Sequence, residues 1–169
     1  LVDGALRLIE EKGPTGFTLS EAAREAGVTP AAVYRHFEGR EDLIAEAARQ
    51  GYEIFADLME YAYAKGQPLP GAAAPAPPAK GQPSALASFE ATGRAYLAFA
   101  RKYPGHYVAM FESGISIQRT PELNEVATRA MGVLERAAVE LSKHIPEEKR
   151  PPPQMFSAHI WALSHGVVE

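Results

Sequence analysis

The stretch Pro30 to Phe37 turns only Val33 and Phe37 toward an apolar side, which leaves Ala31, Ala32, Tyr34, Arg35 and His36 pointing outward. A phenol, a guanidinium and an imidazole side by side on a two-turn helix suit a nucleic-acid groove better than a core. An αα-corner with no nucleic-acid role shares the same spacing, and both readings stand on spacing alone. The five histidines offer a second possible chemistry. His106, His144, His159 and His165 are scattered with no two of them at i, i+4; His165 and Glu169 are so spaced, but two ligands on one helix are a poor basis for a metal site. There is no glycine-rich phosphate loop, nucleophile elbow or supported carboxylate dyad. The residues therefore point away from an enzyme, and to no metal and no cofactor.

The outward-facing residues need elements to hold them. Thr18-Leu19-Ser20-Glu21 reads as a capping box that starts a short helix with Leu19, Ala22, Ala23 and Ala26 as its buried face. Those side chains are small, so a second helix can cross closely. Gly27 supplies the left-handed residue that ends the helix. Thr29-Pro30, a cap followed by proline at the first helical position, starts the next. Val28 and Val33 stand where a hydrophobic staple would fix its entry. Two short helices joined through a tight glycine turn make a helix-turn-helix.

The remaining periodicity is helical throughout. Val2, Ala5, Leu6 and Ile9 form a first stripe, ended by Gly13-Pro14. A long helix from about Asp42 to Gly66 carries Leu43, Ala47, Ile54, Leu58 and Ala62. Ser84 caps a helix with Leu86, Phe89, Gly93, Tyr96, Leu97 and Ala100 facing inward. A short helix runs through His106 to Glu112. Thr120-Pro121 opens another, with Leu123, Val126, Ala130, Leu134, Ala137 and Leu141. After Pro151 to Pro153 a last helix holds Phe156, Ile160, Leu163 and Val167. Residues 67–83, rich in Pro, Ala and Gly, read as a flexible loop. The fold class expected is all-α.

With 169 residues and 46 % hydrophobic composition, the chain can bury a core. It has no cysteine, which excludes disulfides, thiolate zinc sites and cysteine nucleophiles and fits a reducing cytoplasm. It contains no apolar run long enough to span a membrane and no recognisable signal peptide. Because Leu1 opens in mid-helix and Val167-Val168-Glu169 carries no stop signal, further residues are expected on both sides. The formal net charge is -4. Residues 1 to 45 hold five Lys or Arg against eight Asp or Glu, an awkward balance for a surface that must meet phosphates.

Thr18 to Ala23, Ala26-Gly27-Val28-Thr29, Val33-Tyr34-Arg35-His36-Phe37 and Arg40-Glu41-Asp42-Leu43 closely resemble the N-terminal signature of the tetracycline-repressor (TetR) family. Trp161-Ala162-Leu163-Ser164-His165-Gly166, with Tyr103 to Tyr107 and Met110-Phe111, is similar to the Trp-His-Gly subfamily of TetR ligand domains. The resemblance implies a ligand-responsive repressor that binds a palindromic operator as a homodimer and is released by a small-molecule effector. It implies residues 1 to 45 as a three-helix DNA-binding domain and 46 to 169 as a helical effector-binding and dimerisation domain. Thr18, Tyr34, His36 and Arg40 match phosphate-backbone positions, and Thr29, Pro30, Ala31, Ala32 and Arg35 the surface that meets base edges. Both alanines lack hydrogen-bonding groups, so base readout leans on Arg35, Thr29, thymine-methyl contacts and DNA shape. The aromatic residues Phe89, Tyr96, Phe99, Tyr107, Phe111, Phe156 and Trp161, with Met110, read as plain core or as the lining of an effector cavity. His106, His159 and His165 are the candidate polar contacts there. Phe156, Ile160 and Val167 are candidates for the dimer interface.

Overall fold

The computed structural model describes residues 1–66, 81 and 83–168. Most of the proline-rich loop expected at 67–83 therefore lies outside the described residues. Among the described residues there are eight α-helices: α1 (Val2–Lys12), α2 (Leu19–Glu25), α3 (Pro30–Val33), α4 (Arg40–Lys65), α5 (Ala85–Lys102), α6 (Pro104–Tyr107), α7 (Pro121–Ser142) and α8 (Pro153–Val168). A π turn, Val108–Glu112, continues α6, and a 3₁₀ turn, Glu147–Lys149, precedes α8. No strand occurs among the described residues. The fold is all-helical, as the periodicity requires.

The starts are written in local chemistry. The Ser84 hydroxyl accepts from the Ala87 amide at 3.1 Å, and the Thr120 hydroxyl from the Leu123 amide at 3.1 Å. Pro121 follows Thr120 where its missing N–H costs nothing. The inward faces depart from expectation in several places. On α5 the buried residues are Ser88, Ala91, Thr92, Ala95, Tyr96, Phe99 and Ala100, whereas Leu86 is 55 % exposed. Ser88 and Thr92 can be buried because each hydroxyl donates to a backbone carbonyl, of Tyr63 at 2.9 Å and of Ser88 at 2.7 Å. On α4 Leu43, Ala47 and Ala62 are buried as expected and Ile44, Tyr52, Phe55 and Met59 are buried with them, whereas Ile54 and Leu58 are only half-buried. On α1 the buried set is Gly4, Ala5, Leu8 and Ile9, with Val2 and Leu6 half-buried.

Contacts divide the chain into two compact units: Leu1–Ile54 with Lys102–Ala127, and Phe55–Arg101 with Thr128–Glu169. In the first, α6 meets α1 closely. The Glu10 carboxylate accepts from the Gly105 amide at 3.0 Å, and a Cβ on Gly105 would stand 3.0 Å from the Leu6 carbonyl. Glycine is needed there for space. Tyr52, Tyr107 and Phe111 pack edge-on or tilted around the π turn. The second unit is centred on Phe55, against which Tyr96 and Phe99 pack at 5.3 and 4.9 Å between ring centroids.

Candidate nucleic-acid interface

The capping box forms in full. Thr18 Oγ1 accepts from the Glu21 amide at 3.2 Å, and Glu21 Oε2 accepts from the Thr18 amide at 2.8 Å and from its hydroxyl at 2.9 Å. Lys12 Nζ donates to the other carboxylate oxygen at 3.0 Å. These donors, Lys12 foremost, hold the Glu21 carboxyl down at about 2. Both the hydroxyl and the amide of Thr18 are thus engaged by Glu21.

Ala22 and Ala23 are fully buried beneath the crossing helices. A Cβ on Gly4 would lie 3.3 Å from the Ala22 carbonyl oxygen, so α1 and α2 cross closely there and leave little room for a side chain. At the end of α2, Gly27 has φ 68°; its amide donates to Arg24 and that of Val28 to Ala23, the two bonds of a Schellman turn. Thr29 Oγ1 then accepts from the Ala32 amide at 3.3 Å and starts α3.

The recognition segment is shorter as regular helix than expected. α3 ends at Val33, and the chain tightens through a turn in which His36 and Phe37 amides both donate to the Val33 carbonyl. Val33 is buried, whereas Val28 is 42 % exposed, so the outer half of the expected staple faces solvent. Tyr34 is 56 % exposed, and Ala31, Arg35 and His36 are exposed beside it.

The turn into α4 has its own fastening. Asp42 Oδ2 accepts from the Glu38 amide at 3.0 Å, while Oδ1 receives Arg119 Nη2 at 2.6 Å. Arg119 also reaches Glu41 at 3.2 Å. This guanidinium, at the loop before α7, holds the Asp42 carboxyl below its ordinary range. Its role was not visible in the sequence, because 77 residues separate the partners. Arg40 Nη1 donates to the carbonyls of Thr15 at 2.8 Å and Phe17 at 3.2 Å.

The candidate effector residues fall in both units. Within the second, Tyr96 Oη lies 3.3 Å from His165 Nδ1, and Trp161 stacks on the His165 ring at 5.2 Å. Tyr96 and Phe99 are buried, Phe89 is half-buried, and His159 is exposed. Within the first, Tyr107 and Met110 are buried, and His106 and Phe111 are half-buried. Burial lowers the pKa of His106, against the fields of Asp3 and Glu10. Of the candidate dimer residues, Phe156 and Ile160 are half-buried and Val167 is 69 % exposed.

The fold and this turn define a helix-turn-helix protein. A family model described as bacterial regulatory proteins, tetR family, matches residues 1–47, and the tetracyclin repressor-like C-terminal domain matches residues 89–169. The chain belongs to the TetR family, whose members are DNA-binding transcriptional regulators and not enzymes. It is 45 % identical over 49 residues to the HTH-type transcriptional regulator BetI of Rhizobium meliloti, a match covering 29 % of this chain and 24 % of that one. It is 38 % identical over 71 residues to the HTH-type transcriptional regulator AcrR of Shigella flexneri, covering 41 % and 33 %. These matches thus span a third or less of either relative's length. The fold is similar to that of the fatty acid degradation regulator FadR from Bacillus halodurans, with TM-score 0.72, 15 % identity, and coverage of 99 % of this chain and 79 % of that one. No helix among the described residues is long and apolar enough to cross a membrane.

Proposed function

We propose that this regulator is a repressor that binds a palindromic operator as a homodimer and releases it when a small molecule binds in its C-terminal part. The observation that carries the reading is the exposed row of Tyr34, Arg35 and His36, on the turn that directly follows a short helix whose cap and proline are in place. Residues 1–45 are assigned to the operator and 46–169 to effector binding and dimerisation. Arg35, with Thr29 to Ala32, meets base edges; Tyr34 and His36 meet phosphates.

Dimerisation is supported by α8. Leu163, Val167 and Met155 are 72, 69 and 46 % exposed, and the helix contains no Asp, Glu, Lys or Arg. An uncharged helix with so much apolar surface is suited to a second copy. A two-fold dimer would set its recognition helices roughly 34–36 Å apart, one turn of B-DNA. The buried Tyr96, its neighbour His165 and the stacked Trp161 support a largely aromatic effector site with a few polar groups. Such a ligand would act by preferring the conformer that no longer fits adjacent grooves, since equal affinity for both conformers shifts nothing. The cytoplasm, where the chromosome is, is the compartment that fits.

The test is selection from a randomised duplex pool at two salt concentrations, using the full-length protein. A palindrome should be enriched, with affinity falling steeply as salt rises. A folded protein that enriches no sequence and binds without salt dependence would leave a helical ligand-binding module.

A further inference from the structure

We propose that Arg24 docks on the DNA backbone while Arg35 meets base edges, and that Arg40 is a positioning residue which holds the loop before α2. The proposal rests on the operator-binding reading above and specifies which cations serve it. Residues 1–45 contain five: Arg7, Lys12, Arg24, Arg35 and Arg40. Three are engaged inside the protein. Arg7 pairs with Glu25 at 2.9 Å and Lys12 with Glu21 at 3.0 Å, so either one leaving for a phosphate would uncover a carboxylate and gain no net charge. Arg40 spans the Thr15 and Phe17 carbonyls through one nitrogen, and its Nε is enclosed. To reach a phosphate it must abandon two charge-assisted hydrogen bonds, the strong kind.

Arg24 and Arg35 make no ion pair and no side-chain hydrogen bond among the described residues, and both are exposed. The faces of α2 say where Arg24 lies. Leu19, Ala22 and Ala23 are buried. Glu21 and Glu25, four residues apart, reach the cations of α1 and so mark the flank on that side. Ser20 and Arg24, also four apart, occupy the other flank, and no ion pair joins Arg24 to either carboxylate among the described residues. The first helix of a helix-turn-helix crosses the DNA backbone. The Arg24 carbonyl receives the Gly27 amide at 3.0 Å, so its main chain is fixed to the turn that launches α3. A cation so placed neutralises a phosphate while α3 reads bases.

The experiment measures binding of the full-length protein to its selected duplex across a salt series, for the parent and for Arg24→Ala, Arg24→Lys, Arg40→Ala and Arg40→Lys. For Arg24→Ala the slope of log affinity against log salt should drop by about 0.9 per docked arginine, roughly 1.8 for a dimer, with no change in sequence ranking. Arg24→Lys, which keeps a point charge, should restore most of it. Arg40→Ala should weaken binding several-fold with the slope unchanged. Arg40→Lys keeps charge but loses the planar fork, so it should behave like alanine and guards against an alanine variant that fails to fold. Faster amide exchange over residues 13–17 should accompany both Arg40 variants. An unchanged slope in Arg24→Ala, or a reduced slope in Arg40→Ala rescued by lysine, overturns the assignment while leaving operator binding intact. A parent protein without salt-dependent binding overturns both.

Discussion

α2 and α8 are opposites in how they are held. The shorter, of seven residues, buries Leu19, Ala22 and Ala23, carries a full capping box at its start and ends in a glycine turn. The longer, of sixteen residues, buries none, although it contains no Asp, Glu, Lys or Arg. Length would favour α8, since short helices are marginal on their own. Packing and caps decide instead. What α2 needs is supplied within about thirty residues of chain, whereas the outer face of α8 has nothing in the described residues to cover it. The comparison separates a helix completed by its neighbours in the chain from one whose apolar surface stays exposed among the described residues.

The sharpest way to break that contrast is Leu163→Asp. Leu163 is 72 % exposed in the single chain, so the substitution should leave the intrinsic stability of the monomer nearly unchanged. In a dimer the same carboxylate would be buried without a partner, at a cost of several kcal/mol. Sedimentation should then show a monomer, and operator affinity should fall by about two orders of magnitude or more. A variant that stays dimeric would move the interface elsewhere and remove the reading of α8.

The next effect belongs to α2. Ala23 is fully buried under a crossing helix, so Ala23→Leu should destabilise the chain by about 1–3 kcal/mol through overpacking. Thermal unfolding measures it. An unchanged melting point would mean that the α1–α2 crossing is looser than the 3.3 Å approach at Gly4 implies. Set beside Leu163→Asp, this variant should lose stability while its association constant per folded chain is retained.

The same contrast explains what could be read from sequence. Caps and turns were legible because each is made by residues within about five positions of one another: Thr18 with Glu21, Thr29 with Ala32, and Gly27 closing on Ala23 and Arg24. Exposure at Tyr34, Arg35 and His36 followed from the period of one short helix. Inward faces of the long helices were read less well. Leu86 stands exposed while Ser88 and Thr92 go inside, because their hydroxyls find backbone carbonyls that hydrophobic ranking cannot foresee. Contacts between remote segments left no local trace at all. Arg119 on Asp42 and Glu10 on the Gly105 amide join residues 77 and 95 positions apart. Arg40 was legible as a cation at a phosphate-like position, but its two carbonyl partners lie 25 and 23 residues back.

The smallest predicted effect tests the cap of α2 against a region that has no equivalent. In the folded chain Glu21 titrates at about 2 in place of 4.5, held down first by Lys12 and then by the Thr18 amide and hydroxyl. The unfolded chain therefore takes up the proton first as pH falls. Stability from this carboxylate is complete above pH 4.5 and drains away as pH drops toward 2. Glu21→Gln keeps an acceptor for the Thr18 amide but cannot titrate. Urea unfolding at a series of pH values should show the parent more stable than the variant near neutrality. The difference should close between pH 4.5 and 2, leaving the two chains alike at the acid end. α8 contains no carboxyl group between Pro153 and Val168, so nothing within it titrates over that interval. A gap that stays constant through the window would mean that the Glu21 contribution is one of shape and packing, and the charged cap would lose its place in what distinguishes α2 from α8.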